Sequence, residues 1–322
     1  MRNLSFGKYY ELSLGILIFL LVLAPSLIGI GVLFFIGVWV LGLIKKKFQF
    51  NFFGVHALLF TFYIAYLIGV FYTDHVDLAN KYLEYKLALV LFPVVLSFTL
   101  KDKISIPIIS SFMIIATLII SIIGAVNSLL LFSETGEMSS LLSANFSVIH
   151  HPTYLSAFAA MCCALLIYGL KMKWDYYSQH RVIVLFVMFV GVQFFCISLA
   201  GILFLLMYLI YLTFSRVREV LSKRMFVGFT IAVFITLFCI VRFTPDVGDQ
   251  LVNSVDYLIE YVDDPDEFIK SKQTSIGGSE TRLILWTAAF YVYLEHPFGV
   301  GTANVDDYMT DMLYRIGQPH MA

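Results

Sequence analysis

Residues Ile106 to Phe132 read IPIISSFMIIATLIISIIGAVNSLLLF, a run without a single charged side chain. A helix needs about 20 mostly apolar residues to cross the hydrocarbon core of a bilayer, and this run exceeds that length. Eight similar stretches lie on either side of it, at about 10–25, 27–44, 53–72, 86–100, 151–170, 181–197, 199–215 and 225–242. The seventh and eighth spans are separated only around Ser198, and one helix from Arg181 to Phe214 would be too long for a single bilayer. The first run, Leu12 to Ala24, lacks a small-x-small cleavage site and reads as a span.

Composition agrees. Of 322 residues, 60% are hydrophobic and 13% charged, against roughly 45–50% and 25% in soluble domains. This balance excludes a soluble enzyme, a disordered chain and a nucleic-acid binder, and makes the lipid bilayer the first partner. The formal net charge of -1 offers no global field for a polyanion. Cys162, Cys163, Cys196 and Cys239 all lie in apolar runs and read as small buried hydrophobes.

Basic residues set the expected orientation. With the N-terminus in the cytoplasm, 14 of the 21 Lys and Arg fall inside, among them Lys45, Lys46, Lys47, Lys101, Lys103, Arg216 and Arg218. The outside loop from Ser133 to Ser147 carries none. Nine spans then place everything after Arg242 outside. From Arg242 to Ala322 the chain holds 13 acidic and 5 basic residues, and this terminal segment reads as water-facing. Two helices are expected in it. One has Leu251, Val255, Leu258 and Val262 on a common face. The other, over 280–294, groups Trp286, Ala289, Phe290 and Tyr293 behind a Ser279 N-cap. The acidic link from Asp263 to Gly278 reads as mobile. The expected fold is therefore an all-α polytopic membrane protein: a transmembrane domain of about nine helices over 1–242, then a large periplasmic helical loop segment over 243–322.

Apart from His56 and His151 near span ends, no ionisable residue is expected deep in a span, which weakens a coupled-transporter reading. Polar groups collect instead at the expected outer face: Lys81, Glu84 and Lys86, then His150 and His151, then Arg282, His296 and His320. An arginine fork suits a diphosphate, and a histidine is suited to taking a proton from an attacking hydroxyl at neutral pH.

The order of residues in SETRLILWTAAFYVYLEHPFGVGTANV, from Ser279 to Val305, is more specific. Arg282, Trp286, Ala289, Pro297, Gly299, Gly301 and Asn304 resemble the signature of the O-antigen ligase / O-antigen polymerase family. There an Arg-x3-Trp-x2-Ala helix leads into a Pro-x-Gly-x-Gly turn in a large outside loop after a ninth span. Glu84-Tyr85-Lys86-Leu87 running into Phe92-Pro93, and His151-Pro152-Thr153-Tyr154 opening a span, are also similar to members of the family. The resemblance implies a glycosyltransferase of the bacterial inner membrane, without metal or cofactor. Such an enzyme moves a glycan from a polyprenyl-diphosphate carrier to a lipid-core, glycan or protein acceptor. It implies diphosphate binding by Arg282 and catalysis by His320 as base, through Pro319-His320; Met321 departs from the family's Pro-His-Asn element. Members often carry Ser-Arg-x-Gly where this chain reads Ser198-Leu199-Ala200-Gly201. With Leu199 in the arginine's place, Lys86 and Arg242 are the nearest cations by topology to take over the diphosphate; otherwise the carrier is held weakly. The chain stops two residues after His320, where the family continues into further spans, so a fragment or a shortened member is expected. A polymerase on the same carrier, or a non-catalytic transporter or scaffold, are the alternatives.

Overall fold

The computed structural model describes residues 5–52, 54–101, 104–174, 178–198, 245–272 and 279–321, together with 201, 203–204, 207, 210–211, 227–228, 230–231, 234–235 and 238. Among the described residues the structure is almost wholly helical. Six of the described helices are long and apolar enough to cross a membrane: Phe6–Leu23, Pro25–Ile44, Val55–Tyr72, Ile106–Thr135, Pro152–Lys171 and Gln179–Cys196. The eighth and ninth expected spans fall largely outside the described residues, and Leu199 and Arg242 lie wholly outside them.

The chain divides into two compact units, one of residues 1–47 and 100–245, the other of 48–99 and 246–322. The first holds α1 (Phe6–Leu23), α2 (Ile28–Ile44), α6 (Ile106–Thr135), α7 (Pro152–Lys171) and α8 (Gln179–Cys196). Helix α1 packs on α2 and α6, α6 on α7, and α7 on α8. Phe186, Phe189, Leu155, Leu166, Cys162 and Cys163 fill their common core. Helix α6 has the residues its length demands. Pro107 opens it, where a missing N–H costs nothing, and Gly136 closes it in the left-handed region at φ 70°. Several of its hydroxyls turn back on the helix, among them Thr117 onto the Met113 carbonyl at 2.8 Å and Ser121 onto that of Thr117 at 2.6 Å, which pairs them in an apolar setting. Glu11 is an acid in the first span that the sequence reading passed over. It is buried, and its Oε1 accepts from the Ser105 backbone N–H at 2.6 Å, a carboxylate at the positive end of α6.

The second unit begins with a hairpin of helices. β1 (Phe48–Phe50) leads into α3 (Val55–Gly69), which a 3-10 turn extends to Tyr72. The return leg is α4 (Val76–Tyr85) and α5 (Ala88–Leu96), and β2 (Phe98–Leu100) closes onto β1. Where a fourth continuous span over 86–100 was expected, the helix that forms has nine residues, half a crossing. Pro93 inside it lacks the N–H to continue the ladder, and the Ser97 hydroxyl donates to the Pro93 carbonyl at 2.6 Å. Phe98 to Leu100 are then drawn into strand pairing. The pairing runs on beyond the strands, Lys101 N–H to the Lys47 carbonyl at 3.0 Å and Lys101 Nζ to the Lys46 carbonyl at 3.1 Å.

The terminal part holds α9 (Pro245–Asp263), α10 (Pro265–Ser271), α11 (Ser279–Glu295) and α12 (Val305–Arg315). The expected mobile link is in part a helix. Asp264 caps α10 by accepting from the Glu267 N–H at 2.9 Å, and Phe268 and Ile269 are buried. The core joins them to Ile284, Ala288, Val292, Met312 and Leu313. The expected face of α9 is turned outward: Val255, Leu258 and Val262 are exposed, and Tyr257 and Tyr261 instead set their ring edges against Phe268 at 6.2 and 5.7 Å. Trp286, Ala289, Phe290 and Tyr293 do share one face of α11, but it is the exposed one.

Candidate functional site

The candidate site lies within the second unit, where the glycine-rich turn after α11 meets the end of α3. The turn forms because His296 ends the helix and Gly299 N–H bonds back to the His296 carbonyl at 2.8 Å. Gly301 sits at φ +95°, and a Cβ there would lie 3.1 Å from Thr73 Cα and the Tyr72 carbonyl. Both conformation and space therefore require glycine. Gly69 is constrained by space alone from the other side, since a Cβ would overlap the Thr302 hydroxyl.

A dense set of hydrogen bonds holds the two segments together. Tyr72 Oη donates to the Phe298 carbonyl at 3.0 Å, and Thr302 N–H to the Gly69 carbonyl at 3.2 Å. The Thr302 hydroxyl donates to the Tyr66 carbonyl. Asn304, buried, is the centre of the clasp. Its Oδ1 accepts from Thr73 Oγ1 at 2.8 Å and from Asp74 N–H at 3.1 Å, and its Nδ2 donates to Asp74 Oδ2 at 3.0 Å. Farther out, His75 Nε2 meets Asp307 Oδ2 at 2.9 Å, and Tyr82 Oη donates to Asp306 Oδ2 at 3.1 Å. That last bond, with the Asp306 charge beside it, raises the Tyr82 phenol above its ordinary pKa.

Beside the clasp is an open groove of about 250 Å³, lined by Phe62, Tyr66, Tyr72, Phe298 and Val305 among others. Lys86 stands at the break between α4 and α5, with its Nζ 5.3 Å from the centre of the Tyr66 ring. A helix C-terminus favours a cation there. Arg282 is exposed in the first turn of α11, and His320 is exposed in a 3-10 turn over Pro319–Met321. The three therefore share a unit, but no hydrogen bond or ion pair among the described residues joins them to one another. Of the other cations of this part, Lys272 pairs with Glu260 at 3.3 Å, and Arg315 is held by Glu295 at 2.9 Å and Asp311 at 2.8 Å, which raise its pKa.

Of the expected polar collection, two histidines of the first unit have structural tasks. His150 Nε2 donates to the Val22 carbonyl at 2.7 Å, and His151 caps α7 by accepting from the Thr153 N–H at 3.4 Å. The sequence reading did not single out Thr73, Asp74, His75, Tyr82, Asp306 and Asp307. The signal available was the polar run Thr73-Asp74-His75 directly after a span. No family model, no curated protein and no solved structure matches the chain.

Proposed function

We propose that this chain is an O-antigen ligase-like glycosyltransferase of a bacterial inner membrane, with its N-terminus in the cytoplasm and its terminal segment in the periplasm. It takes a glycan from a polyprenyl-diphosphate carrier and passes it to an acceptor hydroxyl. The observation that carries this reading is the clasp. Gly301 and Asn304, two residues of the resembling block, seat the turn after α11 on the end of α3. Lys86, from the second resembling stretch, stands in the same unit and touches Tyr66 of the adjoining groove.

The chemistry divides among few residues. A departing diphosphate gains negative charge, and a cation aimed at it lowers the barrier. Arg282 and Lys86 have no ion-pair partner among the described residues, which leaves both available for this task; Arg242 is the third cation assigned to it. His320 takes the acceptor's proton. Whether the acceptor is a lipid core, another glycan or a protein decides between ligase and polymerase, and product analysis distinguishes them.

The test is glycan transfer in proteoliposomes, with polyprenyl-diphosphate binding measured alongside. Arg282→Lys should already impair transfer, because an ammonium cannot form the bidentate fork. Arg282→Ala should lose about 2–4 kcal/mol of transition-state stabilisation. Near-normal transfer by Arg282→Ala removes that residue from the site. Failure of the unaltered chain to bind any diphosphate lipid overturns the reading in favour of a membrane scaffold.

A further inference from the structure

Helix α11 has two apolar faces. Ile284, Ala288 and Val292 enter the core of the terminal part, and away from them Trp286, Phe290, Tyr293 and Leu294 stand exposed, Trp286 by 68%. The strip continues past the helix end to Phe298, which is 95% exposed. Between Arg282 and Glu295 no residue is charged, in a segment otherwise rich in acids. A contiguous apolar patch of this kind marks an interaction surface.

Three observations select lipid as the occupant. The strip bears no charge, so it complements neither a basic nor an acidic protein surface, whereas the glycerol and upper acyl region of a bilayer asks for none. Trp286 and Tyr293 are of the two types that concentrate where membrane meets water, because each ring combines an apolar body with a polar edge, and Phe290 adds apolar area between them. Third, its far end is continuous with a helix built for the bilayer. The Phe298 carbonyl accepts from Tyr72, the last residue of the Val55–Tyr72 run, and little of that run is buried within the protein.

We propose that α11 lies along the membrane–water interface with Trp286, Phe290 and Tyr293 seated among lipid chains, while the acidic remainder of the segment stays in water. This departs from the expectation of a wholly water-facing loop and does not depend on the glycosyltransferase reading.

Brominated lipids test it. The full chain is reconstituted in phosphatidylcholine vesicles whose acyl chains carry bromine near the headgroup, and in unbrominated vesicles. The difference in emission between the unaltered protein and Trp286→Phe isolates Trp286, one of 3 tryptophans. The Trp286 component should lose most of its intensity in brominated vesicles and resist aqueous iodide. Quenching by iodide without quenching by bromine places the face in water and overturns the proposal. Quenching by neither places it against protein, this chain or a second copy, and also overturns it. Phe290→Asp, changing an exposed residue of the same face, should raise iodide access to Trp286 several-fold; no change in access counts against lipid seating.

Discussion

Asn304 does the work of a short cross-link. One amide satisfies the Thr73 hydroxyl, the Asp74 backbone and the Asp74 carboxylate at once. Asn304→Ala removes the acceptor of the Thr73 hydroxyl and the Asp74 N–H and the donor to the Asp74 carboxylate in a half-buried place, so unfolding of this unit should become easier by about 1–3 kcal/mol. Asn304→Asp should fare no better, because it sets a second carboxylate against Asp74. Thermal denaturation of the detergent-solubilised protein checks both. Thr73→Val combined with Asn304→Ala should cost clearly less than the two added separately, since they share one bond. Tyr82 gives a spectroscopic handle on the outer edge of the same clasp. Its folded-state pKa lies above the ordinary tyrosine value, so the bond to Asp306 contributes fully below about pH 10 and is lost as pH rises through the folded-state value. A phenolate absorbance titration should show a late-titrating tyrosine that disappears in Tyr82→Phe and moves down in Asp306→Asn.

At the scale of elements, the ladder between β1 and β2 fixes where the hairpin begins and ends. It holds Lys46 and Lys47 against Lys101, so both basic clusters meet at the open end of the hairpin. Reporters fused after Lys46 and after Lys103 should therefore give the same, cytoplasmic, signal, and one fused after Asp263 the opposite. A disagreement between the first two would break the hairpin assignment. The spans expected over 106–132 and 151–170, found as Ile106–Thr135 and Pro152–Lys171, were legible because an apolar run of that length admits few other readings. The early end of α5 at Leu96 was not, because it depends on Phe48–Phe50 capturing Phe98–Leu100 some fifty residues away. The face of α9 was misjudged for a related reason. Valine and leucine at helical spacing look like a core, but Phe268, from a link too polar to attract notice, offered Tyr257 and Tyr261 a better partner. Phe268→Ala should accordingly cost about 3–5 kcal/mol, read as loss of the terminal part's cooperative melting.

Over the whole molecule, the second unit is assembled from two stretches far apart in sequence. The candidate site was only half legible for that reason: its glycine turn announces itself, but nothing local says that Thr73 and Asp74 receive it. Gly301→Val should therefore be felt at a distance along the chain. It should raise amide exchange across Tyr72 to His75 and leave the α7 and α8 amides unchanged, as hydrogen-exchange mass spectrometry would show. The same discontinuity governs how the protein is made. Thr73 leaves the ribosome 231 residues before Asn304, an interval on the order of ten to fifty seconds at roughly 5–20 residues per second. Throughout it, the end of α3 waits with its carbonyls and hydroxyls unclaimed while the helices of the first unit are already inserting. A stalled or shortened translation product lacking Asn304 should therefore present the Tyr66–His75 edge unpaired, open to proteolysis.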